Sequence, residues 1–246
     1  MALIAVIGGS SLEQMPDLQI EERVSQASRY GKPSSQIVRG KIDGSELLFL
    51  SRHGDGHEIA PHRVNYRANI DALQSLGATE IVAVNTVGAI REDMACGDIV
   101  IPDQLIDYTW GREGSFFDGK SNPLKHIDFT HPFSESLRQK ILAKSEDLDT
   151  QCHPSATYAC TQGPRLETAA EIDRFKREGS DIVGMTLCPE AALAAELGIT
   201  YASICLVVNP AAGLTDKPLS EAEITSTARR GIGAVVQLLR ALIAVM

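Results

Sequence analysis

Short apolar runs alternate with amphipathic stretches along most of the chain. The apolar runs predict buried strands, and they cover residues 3–7, 81–84, 99–101, 157–161, 182–184 and 199–208. Two further runs, 36–42 and 46–51, flank Asp43-Gly44 and predict a β-hairpin. Helical spacing and end signals predict helices over 66–76, 134–148, 168–178 and 220–244, and Pro189 begins another that Gly198 stops.

The order of these elements predicts the fold class. Strands that alternate with helices are typical of an α/β protein. We therefore expect a single domain over residues 1–246, with a mixed, twisted central sheet flanked by helices. Residues 103–131 have no clear periodicity, and a connection of this length is unusual unless it covers a site or a subunit contact.

Composition narrows the classes of partner. The formal net charge is −9, which disfavours nucleic acid and anionic membrane surfaces, although a few cations can still converge on an anionic substrate. No apolar run is long enough to span a bilayer, and the first residues lack the basic start of a signal peptide. The five cysteines form no C-x-x-C pair, which favours reduced thiols and a cytoplasmic location.

Polar clusters follow the predicted strands at the points where the strands end. These clusters are Gly8-Gly9-Ser10, Arg52-His53, Asn85-Thr86, Met185-Thr186 and Asn209. Ligands of open α/β sheets gather at the carboxyl ends of strands. The shared position of the clusters therefore predicts one site.

Each cluster alone also permits a simpler interpretation. The glycine segment fits an anion nest or an ordinary turn, and it lacks the lysine of a P-loop and the spacing of the dinucleotide fingerprint. Arg52 and His53 fit a bidentate phosphate contact, a surface loop or, with His57 and His62, a metal site. The intervening glycines disfavour the helix that such a metal pair needs, and no third ligand is evident.

Three more polar positions stay ambiguous at this level. Asn85-Thr86 fits a hydrogen bond at a strand end as well as a ligand contact. Glu167 lies near a predicted helix N-terminus, where the helix dipole favours a carboxylate. Asn209-Pro210 fits a simple strand terminator.

Together, eight segments resemble the trimeric purine nucleoside phosphorylase and methylthioadenosine phosphorylase family. They are IGGS (7–10), SRHG (51–54), VNYRANI (64–70), VNTVGAIRE (84–92), GDIVIPDQLID (97–107), TQGPRLET (161–168), IVGMTLCPEAALA (182–194) and YASICLVVN (201–209). The resemblance implies an enzyme that cleaves the N-glycosidic bond of a purine nucleoside. Inorganic phosphate is then a co-substrate, and no cofactor or metal is needed.

The resemblance also implies a role for individual residues. Those implied to bind phosphate are Ser10, Arg52, His53, Asn85, Thr86 and Thr186. Those implied to contact the base and ribose are Leu166, Glu167, Met185, Asn209 and Ala211, with Asn209 as the catalytic donor to purine N7. His57 and Glu221 are implied near the 5′ end of the sugar, and His126 near the 5′ end of a neighbouring subunit's site in a homotrimer.

Two positions indicate which purine is favoured. Glu167 and Asn209 match family members that act on inosine and guanosine, whereas methylthioadenosine phosphorylases carry serine and aspartate there. An ionised glutamate accepts the N1–H of a 6-oxopurine, while adenine presents a lone pair at N1. An unpaired buried polar group costs about 1–3 kcal/mol. We therefore expect hypoxanthine to be preferred, with guanine possible.

The 5′ substituent of the sugar is harder to assign. No histidine follows His153, and Leu219 and Ile224 could enclose an apolar methylthio group. In this respect the chain is similar to the S-methyl-5′-thioinosine phosphorylase branch of the family. Glu221 could instead accept a bond from a 5′-hydroxyl, which would favour inosine or guanosine.

Other functions remain as alternatives. A methylthioadenosine phosphorylase would differ in its base preference. A non-catalytic nucleoside sensor would need no phosphate-binding residues. A nucleoside hydrolase would need a cluster of aspartates for calcium, which is not evident in the sequence.

Overall fold

The computed structural model describes residues 3–9, 18–119 and 122–245. Within them the chain forms eleven strands and five α-helices. The strands are β1 (Ile4–Gly8), β2 (Gln19–Val24), β3 (Ile37–Ile42), β4 (Ser45–Ser51), β5 (Glu80–Ala89), β6 (Ile99–Val100), β7 (Gln104–Asp107), β8 (Cys152–His153), β9 (Thr157–Cys160), β10 (Ile182–Gly184) and β11 (Thr200–Pro210). The helices are α1 (Tyr66–Ser75), α2 (Glu135–Ser145), α3 (Ala169–Arg177), α4 (Leu187–Glu196) and α5 (Glu221–Ile243).

Local signals in the sequence account for several element boundaries. β3 and β4 form the predicted antiparallel hairpin, and Asp43 and Gly44 have the positive φ angles, 50° and 84°, that its tight turn requires. The side chains of Ser134, Thr168 and Ser220 each accept a backbone N–H at the start of α2, α3 and α5. These predicted elements are confirmed.

A mixed sheet forms the centre of the fold, and helices cover both of its faces. Alternate residues of β5 enter opposite cores, because successive side chains of a strand point to opposite faces. Ile81 and Ala83 pack in one core with residues of α1 and α4. Val82 and Val84 pack in the other core with residues of α2 and α5. The predicted α/β class with a mixed central sheet is confirmed.

The central strand β5 pairs with a single strand along one edge and with two different strands along the other. β11 pairs in parallel with β5 along its whole length. The opposite edge is shared, because β1 pairs with Glu80 to Ala83 in parallel and β10 pairs with Gly88 and Ala89 in antiparallel orientation. The carboxyl ends of β1 and β10 therefore point toward each other across residues 84–87 of β5. We refer to these four residues as the strand gap.

The sequence pattern missed three strands. β2 is an exposed strand at the edge of the sheet, so it lacks the apolar signal of a buried strand. β7 begins the long connection for which no periodicity was found, and it is half-buried beside β9. β8 has only two residues and pairs with β6. Each was missed because tertiary pairing, and not local pattern, makes it a strand.

Within the three described ranges, no helix is both long and apolar enough to cross a membrane.

Substitution of Gly184 tests the packing around β10. A Cβ built on Gly184 would lie 2.0 Å from the hydroxyl oxygen of Tyr158, whose side chain is fully buried. We expect Gly184→Ala to lower the free energy of unfolding by about 1–3 kcal/mol, because a filled core resists added volume. Denaturant unfolding measures this change.

Gly233 is the matched control. It lies within α5, and a Cβ there would meet nothing within 4 Å. Gly233→Ala should raise the free energy of unfolding by about 0.5–1 kcal/mol, since alanine restricts the unfolded chain and suits a helix. Equal midpoints for wild type and Gly184→Ala would contradict the packing described at Tyr158.

Candidate active site

The strand gap places one exposed side chain in an otherwise covered strand. Thr86 is exposed, whereas the other residues of β5 are buried or half-buried. The carbonyl oxygen of Val84 accepts from Arg52, and the N–H of Ile90 donates to the carbonyl oxygen of Asp181. Both groups therefore point to the edge of β5 that β1 and β10 share. Because backbone groups of a strand alternate between its edges, the N–H of Thr86 points to that same edge. The gap therefore offers a backbone donor on the edge between β1 and β10.

Arg52 enters the strand gap from the end of β4, where it is 2% exposed. Its guanidinium binds the carboxylate of Glu190 through Nε and Nη2, both at 2.8 Å. It also donates to the carbonyl oxygens of Val84 and Ile7, at 3.0 and 3.3 Å. Four of the five N–H groups of the guanidinium are thus engaged within the protein. The bidentate grip expected for phosphate is directed at Glu190, and one Nη1 hydrogen remains beyond these contacts.

Glu190 compensates the charge of Arg52 in a buried position. Glu190 is 0% exposed, and Tyr201 donates to the same carboxylate at 2.8 Å. Burial by itself would lower the pKa of Arg52, but the Coulomb attraction and hydrogen bonds of Glu190 more than offset this and raise it. The guanidinium is therefore permanently charged and fixed in place at the end of β4.

Asn85 orients Thr186 across the strand gap. The hydroxyl of Thr186 donates to Asn85 Oδ1 at 2.6 Å, and Asn85 Nδ2 donates to Ser203 Oγ at 2.8 Å. All three side chains are buried. Because the single hydroxyl hydrogen of Thr186 is used in this bond, its oxygen faces any ligand as an acceptor, and a protonated phosphate oxygen is a suitable donor.

His53 follows Arg52 in a tight loop. Its Nδ1 lies 2.8 Å from the carbonyl oxygen of Ile59, and the backbone N–H of Ile59 donates back to the carbonyl of His53. Burial, followed by the positive charge of Arg52, lowers the pKa of His53 to about 4. The ring is therefore neutral at pH 7, with hydrogen on Nδ1 and an acceptor at Nε2.

The lowered pKa of His53 predicts a pH-dependent stability. The unfolded chain binds a proton at this histidine near pH 6.5, whereas the folded chain resists protonation until about pH 4. Stability contributed by His53 is thus complete above pH 6.5 and is lost as the pH falls toward 4. In phosphate-free urea titrations, His53→Asn should show a weaker loss of stability between pH 6.5 and 4 than wild type. Parallel pH profiles for the two proteins would show that His53 is not neutral in the folded state.

The far end of the strand gap is formed by Gly88 and its neighbours. Asn209 of β11 and Val183 of β10 both lie opposite Gly88. A Cβ built on Gly88 would lie 3.1 Å from Asn209 Nδ2 and 3.5 Å from the Cα of Ala211. Asn209 and Ala211 are therefore adjacent, as the predicted base contacts require. A β-bulge between Val207 and Asn209 shifts the register just before this point.

The side-chain amide of Asn209 uses one of its two N–H groups in a bond to the backbone. Its Nδ2 donates to the carbonyl oxygen of Pro210 at 2.7 Å, which fixes the rotation of the amide. An amide nitrogen carries two hydrogens, so a second N–H remains for a ligand.

Met185 directly follows β10, and Glu167 lies on the loop between β9 and α3. Glu167 is half-buried on the loop after β9, and Thr161 donates to its Oε1 at 2.6 Å. The N–H of Thr161 in turn donates to the carbonyl oxygen of Gly184, immediately before Met185. The ends of β9 and β10 are thus joined, and Glu167 is attached to the same edge as Met185 and Thr186.

Arg112 is a residue of this site that the sequence analysis missed. It comes from the long connection and donates to the carbonyl oxygens of Met185, Cys188, Thr161 and Gln162. Its guanidinium also lies 5.5 Å from the ring centre of Tyr66. One cation thereby holds together the loops after β9 and β10. A lone arginine in a stretch without periodicity gave no signal for this role.

Several predicted residues lie outside this contact network. Ser10 falls outside the described residues. Leu166 is exposed, and the ring of His57 lies 4.7 Å from that of His53. His126 and Glu221 are exposed, and within the described part of the chain no hydrogen bond or ion pair connects either of them to the other predicted residues. Glu221 lines a shallow surface groove of about 470 Å³ with Ala222, Thr225, Ser226 and Arg229.

In residues 3–9, 18–119 and 122–245, no three side chains of His, Cys, Asp or Glu are grouped so that they could hold a metal ion.

The arrangement combines two chemical functions along one strand. Its β1 end carries a fixed cation and a backbone donor, with the hydroxyl oxygen of Thr186 and Nε2 of His53 as acceptors, which suit a partly protonated oxyanion. Its β10 end carries an amide donor and a carboxylate acceptor, which suit a heterocycle with N and N–H positions. A ligand that spans both ends would bring an anion and a nitrogen base close together.

Comparisons with known proteins agree with this geometry. The sequence profile of the phosphorylase superfamily matches residues 3–244. A probable S-methyl-5′-thioinosine phosphorylase from Pseudomonas syringae pv. tomato is 48% identical over 235 residues, which is 96% of this chain and 96% of that protein. A 6-oxopurine nucleoside phosphorylase from Pyrococcus furiosus is 42% identical over 99% of this chain and 92% of its own length.

The fold has a match among solved structures as well. Methylthioadenosine phosphorylase from Schistosoma mansoni, solved in complex with adenine, superposes with a TM-score of 0.94 and 32% identity. The match covers 100% of this chain and 92% of that one. A family profile that covers nearly all residues and relatives above 40% identity lead to one conclusion: this chain belongs to the phosphorylase superfamily.

Proposed function

We propose that the protein is a purine nucleoside phosphorylase that acts on 6-oxopurine nucleosides and prefers S-methyl-5′-thioinosine. The products are hypoxanthine and 5-methylthioribose 1-phosphate. The observation that carries the proposal is the pair Glu167 and Asn209 at the end of the same strand gap that holds Arg52. The names of the bacterial and archaeal relatives support the same class of substrate.

Phosphate binding is assigned to the β1 end of the strand gap. The remaining N–H of Arg52 and the backbone N–H of Thr86 donate to its oxygens. The oxygen of Thr186 and Nε2 of His53 accept from its protonated oxygens, and Asn85 orients Thr186. Ser10, which lies beyond the described residues, is proposed as a further ligand. Inorganic phosphate is then the co-substrate, and no other cofactor is proposed.

Bond cleavage follows from the position of the purine. A phosphate oxygen attacks C1′ of the sugar as the C1′–N9 bond breaks, and the electron pair of that bond stays with the purine. The second N–H of Asn209 stabilises the negative charge that develops at N7, and the purine anion then takes a proton from water and leaves as the neutral base. Glu167 accepts the N1–H of a 6-oxopurine, and Met185, Leu166 and Ala211 border the base and ribose.

The assignment of the 5′ substituent rests on the names of relatives and on the segment before α5. The names of several relatives specify a methylthio group. Leu219 is half-buried just before α5 and supplies an apolar side chain in this segment, whereas Ile224 packs against the core. Inosine and guanosine are the second candidate substrates, because the Pyrococcus relative is named for 6-oxopurine nucleosides in general.

A substrate panel tests the proposal. Inosine, guanosine, adenosine and their 5′-methylthio counterparts are each assayed with and without phosphate. We expect turnover only with phosphate, with methylthioinosine as the preferred substrate. Faster cleavage of methylthioadenosine would refute the proposed base preference. Cleavage without phosphate would indicate a hydrolase, and no cleavage of any nucleoside would indicate a binding protein.

Assembly and location complete the proposal. The long connection carries Trp110, which is 73% exposed, and the exposed Leu124 beside His126. A connection of this length is unusual unless it covers a site or a subunit contact, and we propose a homotrimer in which His126 reaches a neighbour's site. Light scattering tests the trimer. The odd number of cysteines without a C-x-x-C pair suits a reducing compartment, and we propose the cytoplasm.

A further inference from the structure

Thr161 is held rigidly between two strand ends. It directly follows β9 and is 8% exposed. Its backbone N–H donates to the carbonyl oxygen of Gly184 at 2.8 Å, and its own carbonyl accepts from Nη2 of Arg112 at 3.1 Å. With both backbone groups bonded, the side chain of Thr161 leaves the chain from a fixed position.

The hydroxyl of Thr161 has two acceptors within reach and one hydrogen to donate. Oε1 of Glu167 lies 2.6 Å away, and the carbonyl oxygen of Gly184 lies 3.3 Å away. The carboxylate is the closer acceptor and carries charge, and the carbonyl already receives the N–H of Thr161. The hydrogen is therefore directed at Glu167.

The hydrogen bonds of the neighbouring Arg165 go to groups other than Glu167. Arg165 binds Glu171 through Nη1 and Nη2, at 2.8 and 2.7 Å. Glu171 belongs to the capping box that begins α3, so this pair serves the helix. In the described part of the chain, Thr161 is the hydrogen-bond donor that reaches the carboxylate of Glu167.

We infer that Thr161 is a specificity-determining residue, which positions Glu167 so that Oε2 receives the N1–H of a 6-oxopurine. This inference rests on the proposed function. By occupying Oε1, the hydroxyl fixes the rotation of the carboxylate and leaves its second oxygen as an acceptor. A 6-aminopurine presents a lone pair at N1 and is repelled. Thr161 thus acts through Glu167 and does not touch the reacting atoms.

The matched variants Thr161→Val and Thr161→Ser test this inference. Valine keeps the shape and removes the hydroxyl, whereas serine keeps the hydroxyl. We expect Thr161→Val to lower the ratio of kcat/KM for methylthioinosine to that for methylthioadenosine about tenfold, as loss of a hydrogen bond to a charged group predicts. The loss should appear mainly in KM for methylthioinosine, with KM for phosphate unchanged. Thr161→Ser should keep the wild-type ratio within about twofold.

A double-mutant cycle separates a specific role from a structural one. In a Glu167→Ala background, Thr161→Val should have no further effect on the ratio, because the acceptor of the Thr161 hydroxyl is absent. The inference is overturned if Thr161→Val leaves the ratio of kcat/KM values unchanged, which includes an equal fall in kcat/KM for both substrates. It is also overturned if Thr161→Val changes the ratio equally in wild type and in the variant that lacks Glu167. If Thr161→Val does not fold, Thr161→Ser tests the inference instead. A changed ratio of kcat/KM values in this variant, which keeps the hydroxyl, would overturn the inference. A wild type that prefers methylthioadenosine would instead refute the proposed function.

Discussion

Replacing Asn209 with alanine should lower kcat for 6-oxopurine nucleosides by about 10²–10³-fold, as removal of one preorganised donor to a developing anion does in other enzymes. The amide is held by its bond to the carbonyl of Pro210, so its second N–H is already aimed when the purine arrives. This donor gains strength as charge accumulates on the leaving base. The effect should therefore fall on kcat and much less on KM.

Steady-state kinetics with methylthioinosine and phosphate measure this loss. The KM for phosphate serves as an internal control, because phosphate is assigned to the opposite end of the strand gap. Unfolding midpoints of the variant and wild type should also be compared, so that a folding defect is recognised. A change in kcat smaller than tenfold in a folded variant would mean that Asn209 does not stabilise the leaving base.

Replacing Glu190 with glutamine should destabilise the fold by about 3–5 kcal/mol, since it leaves a buried charge without its partner. The carboxylate receives two hydrogen bonds from Arg52 and one from Tyr201, and its side chain is 0% exposed. A neutral amide cannot accept the guanidinium in the same bidentate way. The guanidinium cannot lose its proton to escape the cost.

Urea unfolding tests this effect against a matched control. Asp173→Asn makes the same carboxylate-to-amide change in a pair with Arg177 on the exposed surface of α3, and its midpoint should match wild type. The double variant Arg52→Met with Glu190→Leu removes both charges and should be more stable than Glu190→Gln alone. If Glu190→Gln unfolds at the wild-type midpoint, the charge of Arg52 is not compensated by Glu190.

The local parts of this fold could be predicted because each depends on neighbouring residues. Asp43-Gly44 predicts a hairpin turn from its tolerance of positive φ, and Thr168 with Glu171 forms a capping box within four residues. Apolar runs marked most of the buried strands, and the polar residues after them marked the strand ends. This common position predicted one site for Asn85, Thr186 and Asn209.

The contacts within the site could not be predicted in the same way. The sequence analysis assigned the bidentate face of Arg52 to phosphate, yet in the structure Glu190, 138 residues away, receives it. Asn85 was expected to bind phosphate, and its amide orients Thr186, 101 residues away. The role of Arg112 depends on four carbonyl groups, two from the loop after β9 and two from the segment between the end of β10 and the first turn of α4.

The sequence alone therefore determined the helices, most of the buried strands and the residue types that follow those strands, since propensity, periodicity and turn geometry act over a few residues. Only the tertiary structure decided that β1 and β10 approach β5 from opposite directions and leave the strand gap between them. It also decided which donor each polar group meets. Such pairings are set by packing and burial between distant segments, and a buried charge or hydroxyl takes the partner that the fold brings to it.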